Sequence, residues 1–356
     1  QENIIVVMGL YYDKDFLRLN HVESGEYSKP VTIVGAYNAQ ISGGAISMLS
    51  TGGSGGGLAG YPEYDLTLGL GGATTFRDIT WVGDNTLYPS VKSPSTGNMV
   101  NTICASNSLT LYCNLHDLVI DRGVKILGYR NMSDVNGQLT NNCPDITIVG
   151  GIHNKKTNDP LVYSPWNATE GVTTMTFKSG NFARIIAGAR NNTHNNISHN
   201  IFGTPENPHR VRVNVQFIHT ELGIRDYADK EYDYDINLLV GGQTDGTVYS
   251  EAELNVTSGS IGRFISGSIS YGRNIPNYPD DTYFGSTTLN LKGGSISELY
   301  GGSLGRTEGG SECTAYFYGR SVINVDGGDI TSDIYAAGAG GVTGVGRCEH
   351  IDEANH

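Results

Sequence analysis

Five acidic side chains crowd one short stretch: Asp226, Asp229, Glu231, Asp233 and Asp235, within Arg225-Asp-Tyr-Ala-Asp-Lys-Glu-Tyr-Asp-Tyr-Asp235. Clustered carboxylates on a loop can hold Ca²⁺, a hard cation that takes several oxygen ligands. The spacing matches no EF-hand, and the Gly-Gly-x-Gly-x-Asp nonapeptide of calcium-binding β-rolls is missing. The stretch therefore reads first as a solvated acidic loop and second as a calcium site. Asp280-Asp281 has the same standing. Tyr227, Tyr232 and Tyr234 interleave with the acids, and their rings could stack on sugars or simply cover the body of the fold.

Arginine offers a second chemistry. Arg130, Arg190, Arg273 and Arg306 each follow a glycine-containing turn by a few residues. Guanidinium groups bind carboxylates and sulfates bidentately, so a row of them would suit an acidic polysaccharide. The plainer reading is a repeat feature that ties down the base of each loop. No P-loop is present, and His194 and His199 lie in an Asn-rich stretch without an acidic partner at metal-ligand spacing. No catalytic residue is assigned, and no cofactor beyond the calcium candidate.

The elements that must position these groups come from internal repeats. Glu253-Leu-Asn-Val-Thr-Ser-Gly-Ser-Ile261 aligns with Thr288-Leu-Asn-Leu-Lys-Gly-Gly-Ser-Ile296 and with Val322-Ile-Asn-Val-Asp-Gly-Gly-Asp-Ile330. Each reads as a short strand, a glycine turn and a second strand. An earlier copy is Thr174-Met-Thr-Phe-Lys-Ser-Gly-Asn-Phe182, and a weaker one begins at Val213. The equivalent positions Met175, Val213, Leu254, Leu289 and Ile323 are 38, 41, 35 and 34 residues apart. Strands of four or five residues with apolar alternate positions leave no room for helices. A propeller has a similar period, but only two Trp occur and neither recurs, so a solenoid of stacked parallel strands fits better. Period-two alternation then points Leu254, Val256, Leu289, Leu291, Ile323 and Val325 inward. Asn214, Asn255, Asn290 and Asn324 share one outward position, a strand spacing apart, where each amide can hydrogen-bond the next.

Before residue 151 the grammar is looser. Val31-Thr-Ile-Val-Gly-Ala36, Asp78-Ile-Thr-Trp-Val-Gly83 and Asp145-Ile-Thr-Ile-Val-Gly-Gly151 read as one strand type met three times. The chain is taken as one continuous solenoid over 1–356, with irregular coils over 1–151 and regular repeats over 172–341. Residues 191–209 and 271–285, rich in Asn, Pro and Gly, are expected to project as insertions.

These units, T-x-N-V-x-G-G-x-I with I/L-Y-G-G turns, resemble the right-handed parallel β-helix (pectin-lyase-like) superfamily, especially the repeats of adhesin-like cell-surface proteins. The resemblance implies an all-β, single-stranded right-handed coil and says little about activity. Polygalacturonases of that superfamily carry Asn-Thr-Asp, Asp-Asp, Gly-His-Gly and Arg-Ile-Lys motifs on successive coils. This chain has only Asp280-Asp281.

Five cysteines, Cys104, Cys113, Cys143, Cys313 and Cys348, form no C-x-x-C pair. Cys313 and Cys348 lie 35 apart, one coil step, and stacked strands fall within disulfide reach. A bridge between them is expected, with Cys104 and Cys113 next, across a short hairpin, and Cys143 left over. Sequons mark Asn131, Asn167, Asn191, Asn196 and Asn255 for N-glycosylation. Asn255 would have to leave the amide row to carry a glycan.

The chain has 49 glycines in 356 residues, 17% charged residues and net charge −13. Such a composition argues against a helical bundle and against a nucleic-acid partner, which needs a basic stripe. No apolar stretch is long enough to span a membrane. The start at Gln1 is consistent with a mature protein after signal removal, and equally with a trimmed chain. The expectation is an extracellular or cell-surface structural or adhesive protein that associates end to end. The alternatives are a polysaccharide lyase or glycoside hydrolase, and a non-catalytic glycan-binding module.

Overall fold

The computed structural model describes residues 3–7, 10–11, 17–19, 30–35, 66–83, 102–105, 108–127, 129–131, 140–142, 145–151, 171–189, 201–218, 234–242, 247–271, 281–306 and 315–338. Every regular element among them is a strand. Eighteen strands join one sheet, paired in parallel and not closed into a barrel, which makes the chain an all-β parallel solenoid.

Two ladders run along it. The first climbs through Asn3–Val7, Val31–Gly35, Thr74–Arg77, Leu118–Ile120, Val172–Phe177 and His209–Gln216 into Thr247–Ser258, Asp281–Tyr300 and Ala315–Ile330. The second climbs through Leu17–Leu19, Leu66–Leu70, Ser108–Tyr112, Asp145–Val149, Phe182–Ile186, Ile236–Val240 and Ser260–Ile265, then the second half of Asp281–Tyr300, then Ile334–Tyr335. Each coil contributes one segment to each ladder. A smaller parallel sheet stacks Leu10–Tyr11, Thr102–Ala105, Thr80–Gly83 and Lys125–Leu127.

The register follows the repeat alignment residue for residue. Met175 pairs with Val213, Val213 with Leu254, Leu254 with Leu289 and Leu289 with Ile323. Because side chains alternate across a strand, one inward row continues from coil to coil. It reads Ile5, Ile33, Phe76, Ile120, Phe177, Val215, Val256, Leu291, Val325. The seven inner members are buried in the main core. Leu254, Val256, Leu289 and Leu291 are buried as expected, and Ile323 packs partly buried against the core. Val325 is 50% exposed. It stacks on Leu291, but among the described residues no strand pairs with Ala315–Ile330 on its other side.

The expected strand, turn and strand holds in two units, Val172–Phe177 with Phe182–Ile186 and Thr247–Ser258 with Ser260–Ile265, and differs in the next two. Asp281–Tyr300 and Ala315–Ile330 run as single long strands through the corner. Irregular pairing after Leu291 marks the bend. Gly180, Gly259, Gly294 and Gly328, the same position of four units, take φ of +100°, +106°, +79° and +77°. That left-handed region suits a residue without Cβ. A methyl on Gly294 would also strike the Gly259 carbonyl oxygen.

Two further expectations are corrected. Asp281 to Gly285 belong to the strand Asp281–Tyr300, and Ile201–Phe202 and His209 are also strand residues, so the insertions cannot include them. Tyr271 is likewise a strand residue, residues 203–208 form a turn between Ile201–Phe202 and His209–Gln216 in which Thr204 and Asn207 exchange backbone hydrogen bonds, and 191–200 and 272–280 lie outside the described residues. The three similar N-terminal strings do not share one ladder. Val31–Gly35 joins the first, Asp145–Val149 the second, and Thr80–Gly83 the smaller sheet. Trp81 of that string packs edge-on to Phe76 at 5.2 Å, inside the core.

Candidate interaction surface

The outward face of the first ladder carries the amide row. Asn214 Nδ2 donates to Thr176 Oγ1 at 3.3 Å, Asn255 Nδ2 to Asn214 Oδ1 at 3.2 Å, Asn290 Nδ2 to Asn255 Oδ1 at 3.0 Å and Asn324 Nδ2 to Asn290 Oδ1 at 2.8 Å. Every amide donates one coil downward. Thr176 takes the amide's place in the earliest regular unit.

Beside this row run ion pairs that the sequence reading did not single out. Arg212 reaches Glu253 Oε2 through Nε at 2.9 Å and Nη2 at 2.8 Å, and Arg210 Nε reaches Glu251 Oε2 at 3.0 Å. Lys178 Nζ reaches Asp121 Oδ1 at 3.1 Å. All link one coil to the next. Burial opposes charge on Glu253, but the Arg212 and Asn255 bonds with the charges of Arg212 and Lys292 outweigh it and hold its carboxyl below the usual range. Asp121 is lowered in the same way, its burial outweighed by Lys178, the Arg122 backbone N–H and the charge of Arg77. The signal was available once the units were aligned, because Arg212 and Glu253 both immediately precede the inward Val213 and Leu254.

The second ladder carries a different group near its end. Tyr300 and Tyr335 stack with ring centroids 4.6 Å apart and planes 8° from parallel. Arg263 grips Glu298 Oε2 through Nε and Nη2, both at 2.6 Å, and its Cζ lies 5.7 Å from the Tyr300 ring centroid. The Tyr300 hydroxyl donates to Glu298 Oε2 at 3.2 Å. Burial and the Glu298 charge push the phenol up to about 12, with Arg263 opposing. Tyr300 belongs to a second apolar cluster that includes Tyr112, Val149, Ile186, Val240, Ile265, Ile269 and Leu304.

The candidates named from sequence fall in several places. Asp235 is buried: its Oδ2 accepts from Ser260 N at 2.8 Å and Ser260 Oγ at 2.9 Å, and its carbonyl accepts from Phe182 N at 2.9 Å. It joins coils rather than an exposed calcium loop. Asp226, Asp229, Glu231 and Asp233 lie outside the described residues, as do Asp280, Tyr227, Tyr232, His194 and His199. Tyr234 packs its ring against Gly262, so it covers the coil. Among the described residues, no three His, Cys, Asp or Glu side chains gather into a metal-holding group. The arginines form no single row where they are described. Arg130 sits in an antiparallel pair, Tyr129–Asn131 with Thr140–Asn142, and Arg306 in a parallel pair with Ile269–Tyr271. Arg190 and Arg273 lie outside the described residues.

Cys113 is a free thiol in the main core, so the bridge to Cys104 is not made. The hairpin expected to present that bridge is absent too. Thr102–Ala105 pairs within the smaller sheet, while Ser108–Tyr112 pairs within the second ladder. Cys143, Cys313 and Cys348 lie outside the described residues. Asn255 donates to Asn214 and Glu253 and accepts from Asn290, which removes it as a glycan carrier in this fold. Asn131 is a strand residue of the antiparallel pair, and Asn167, Asn191 and Asn196 lie outside the described residues. His209 is a buried histidine that the sequence reading missed. Its Nε2 is 3.2 Å from Thr173 Oγ1, and burial pushes it down to about 3.

No helix among the described residues is long and apolar enough to cross a membrane. Comparison with protein-family models, curated proteins and solved structures returns no match for this chain.

Proposed function

We propose that the chain is a secreted or surface-displayed structural or adhesive protein, a right-handed β-helix of the pectin-lyase-like kind that serves as a rod. One observation carries this reading. Several outward groups of the first ladder that have the chemistry to meet a ligand, Arg210, Arg212, Glu251, Glu253 and the asparagine row, bond to the neighbouring coil instead. Networks of this kind stiffen a quasi-one-dimensional stack in which each coil touches only its neighbours. Glycans at Asn131, Asn167, Asn191 or Asn196 would decorate the rod. Immunogold labelling of intact source cells tests the reading: label on the outer surface or on extracellular material supports it, and label confined to the cell interior overturns it.

A further inference from the structure

Among the described residues, the first and last coils expose the two ends of the same rows. Ile5 opens the inward row of the first ladder and is 48% exposed; Val325 ends it and is 50% exposed. In the second ladder the inward row runs by register from Leu17 to Ile334, which is 63% exposed. Inner members of both rows are buried, Leu291 and Leu299 among them. What is exposed at each end is therefore core-type surface cut across the stack.

We propose that the last coil, Ala315–Ile330 with Ile334–Tyr335, is a docking surface for the first coil, Asn3–Val7 with Leu17–Leu19, of a second copy of this chain. The two ends fit because they are successive positions of one repeat. All strands of the ladders run in one direction, so the incoming Asn3–Val7 adds to the free edge in the register of a further coil, with Ile5 over Val325 and Leu17 over Ile334. An unpaired strand edge is a template for such addition. In the neighbouring row the stack ends at Tyr335, which is 40% exposed and stacked on Tyr300. The outward amide row does not continue, since Ile4 takes the place beyond Asn324. The joint is thus held by the core rows and by backbone pairing. Because the two surfaces differ, the contact is head to tail, and because it continues the stack in the same register it propagates along the coil axis as a filament.

This inference rests on the rod reading for its biological sense only, and its test is separate. Full-length chain, Ile5→Asp and Val325→Asp are compared by sedimentation velocity over about a hundredfold range of concentration, since assembly follows mass action. The unaltered chain is expected to form a concentration-dependent series of linear oligomers. Each variant keeps one good end and stays monomeric alone. An equimolar mixture of the two forms a dimer that grows no further, because the intact last coil of Ile5→Asp meets the intact first coil of Val325→Asp. Both positions are half-exposed, so the fold should survive, and circular dichroism checks it. If either aspartate unfolds the chain, Ile5→Thr and Val325→Thr replace them, with at least a tenfold weaker association expected. A monomer at every concentration overturns the proposal, as does oligomerisation unaffected by either variant or a mixture that stays monomeric. A monomer found on the cell surface would sink the docking and leave the rod reading standing.

Discussion

Asn290 donates its side-chain amide to Oδ1 of Asn255 at 3.0 Å, across 35 residues of chain. It also accepts the Asn324 amide at 2.8 Å. Removing its side chain breaks both bonds, whereas removing that of Asn324 breaks one at an exposed position. A net hydrogen bond contributes about 1 kcal/mol. Asn290→Ala is therefore expected to destabilise by about 1–2 kcal/mol and Asn324→Ala by less than about 1 kcal/mol. Urea titration of both variants checks the order, and equal losses would contradict the amide row.

The corner glycines make a sharper demand. Gly294 sits at φ +79°, and a Cβ there meets the Gly259 carbonyl. Holding a side chain in that region costs about 1–3 kcal/mol before the collision is added. Gly294→Ala should lose amide protection at the corners around Gly259, Gly294 and Gly328, while the distant core around Phe76 keeps its own. Hydrogen exchange with mass detection reads the difference. Uniform loss along the chain would mean that the coils do not open as neighbours.

His209 gives the fold an acid sensitivity above the carboxylate range. Burial lowers its pKa from 6.5 to about 3. Between those values the unfolded chain binds a proton that the folded chain does not, so stability rises with pH through this window and is lost on acidification. The loss is about 2 kcal/mol by about pH 5. His116, lowered by burial against the opposing charge of Asp117, adds a slope of the same sign. Asp121 and Glu253, whose carboxyls are depressed, contribute stability that disappears only as pH falls further, through their folded values. Denaturation at pH 7, 6 and 5 should show a shallower slope for His209→Gln than for the unaltered chain. An unchanged slope would place the titration elsewhere.

The regular half of the fold could be read from sequence because three signals recur together in its units: an inward aliphatic, the following asparagine and the corner glycine. Val213 shows how little is needed, since it aligns correctly from Val213-Asn214 alone, without the full glycine motif. The first half was harder for a physical reason. The steps from Asn3 to Val31, Thr74, Leu118 and Met175 are unequal, and any β-branched run with a terminal glycine satisfies every ladder equally. Ile33, Trp81 and Ile148 all reach the core by that grammar, from three different sheets or ladders. Cross-coil ion pairs such as Arg263 with Glu298 lay hidden because the two residues are 35 apart and unlike in type. Only the register makes them neighbours.

The cysteines separate two environments in one experiment. Cys113 is fully buried, and burial first, then the charge of Asp117, raises its thiol well above the ordinary range. The thiolate is the reactive form, so this thiol should resist alkylation in the folded protein and react promptly once urea opens the core. Cys313 and Cys348 are spaced by 35 residues, the same step that pairs Leu254 with Leu289, and that spacing leads us to expect a disulfide between neighbouring coils. Peptide mapping without reductant, after alkylation of the folded chain and again after unfolding, reads both. The expected map shows one linked Cys313–Cys348 peptide and Cys113 labelled only in the unfolded sample. Rapid native labelling of Cys113 would contradict its place in the core. Free thiols at both Cys313 and Cys348 would reject the stapled coil and, because disulfides persist in oxidising compartments, weaken the extracellular reading with it.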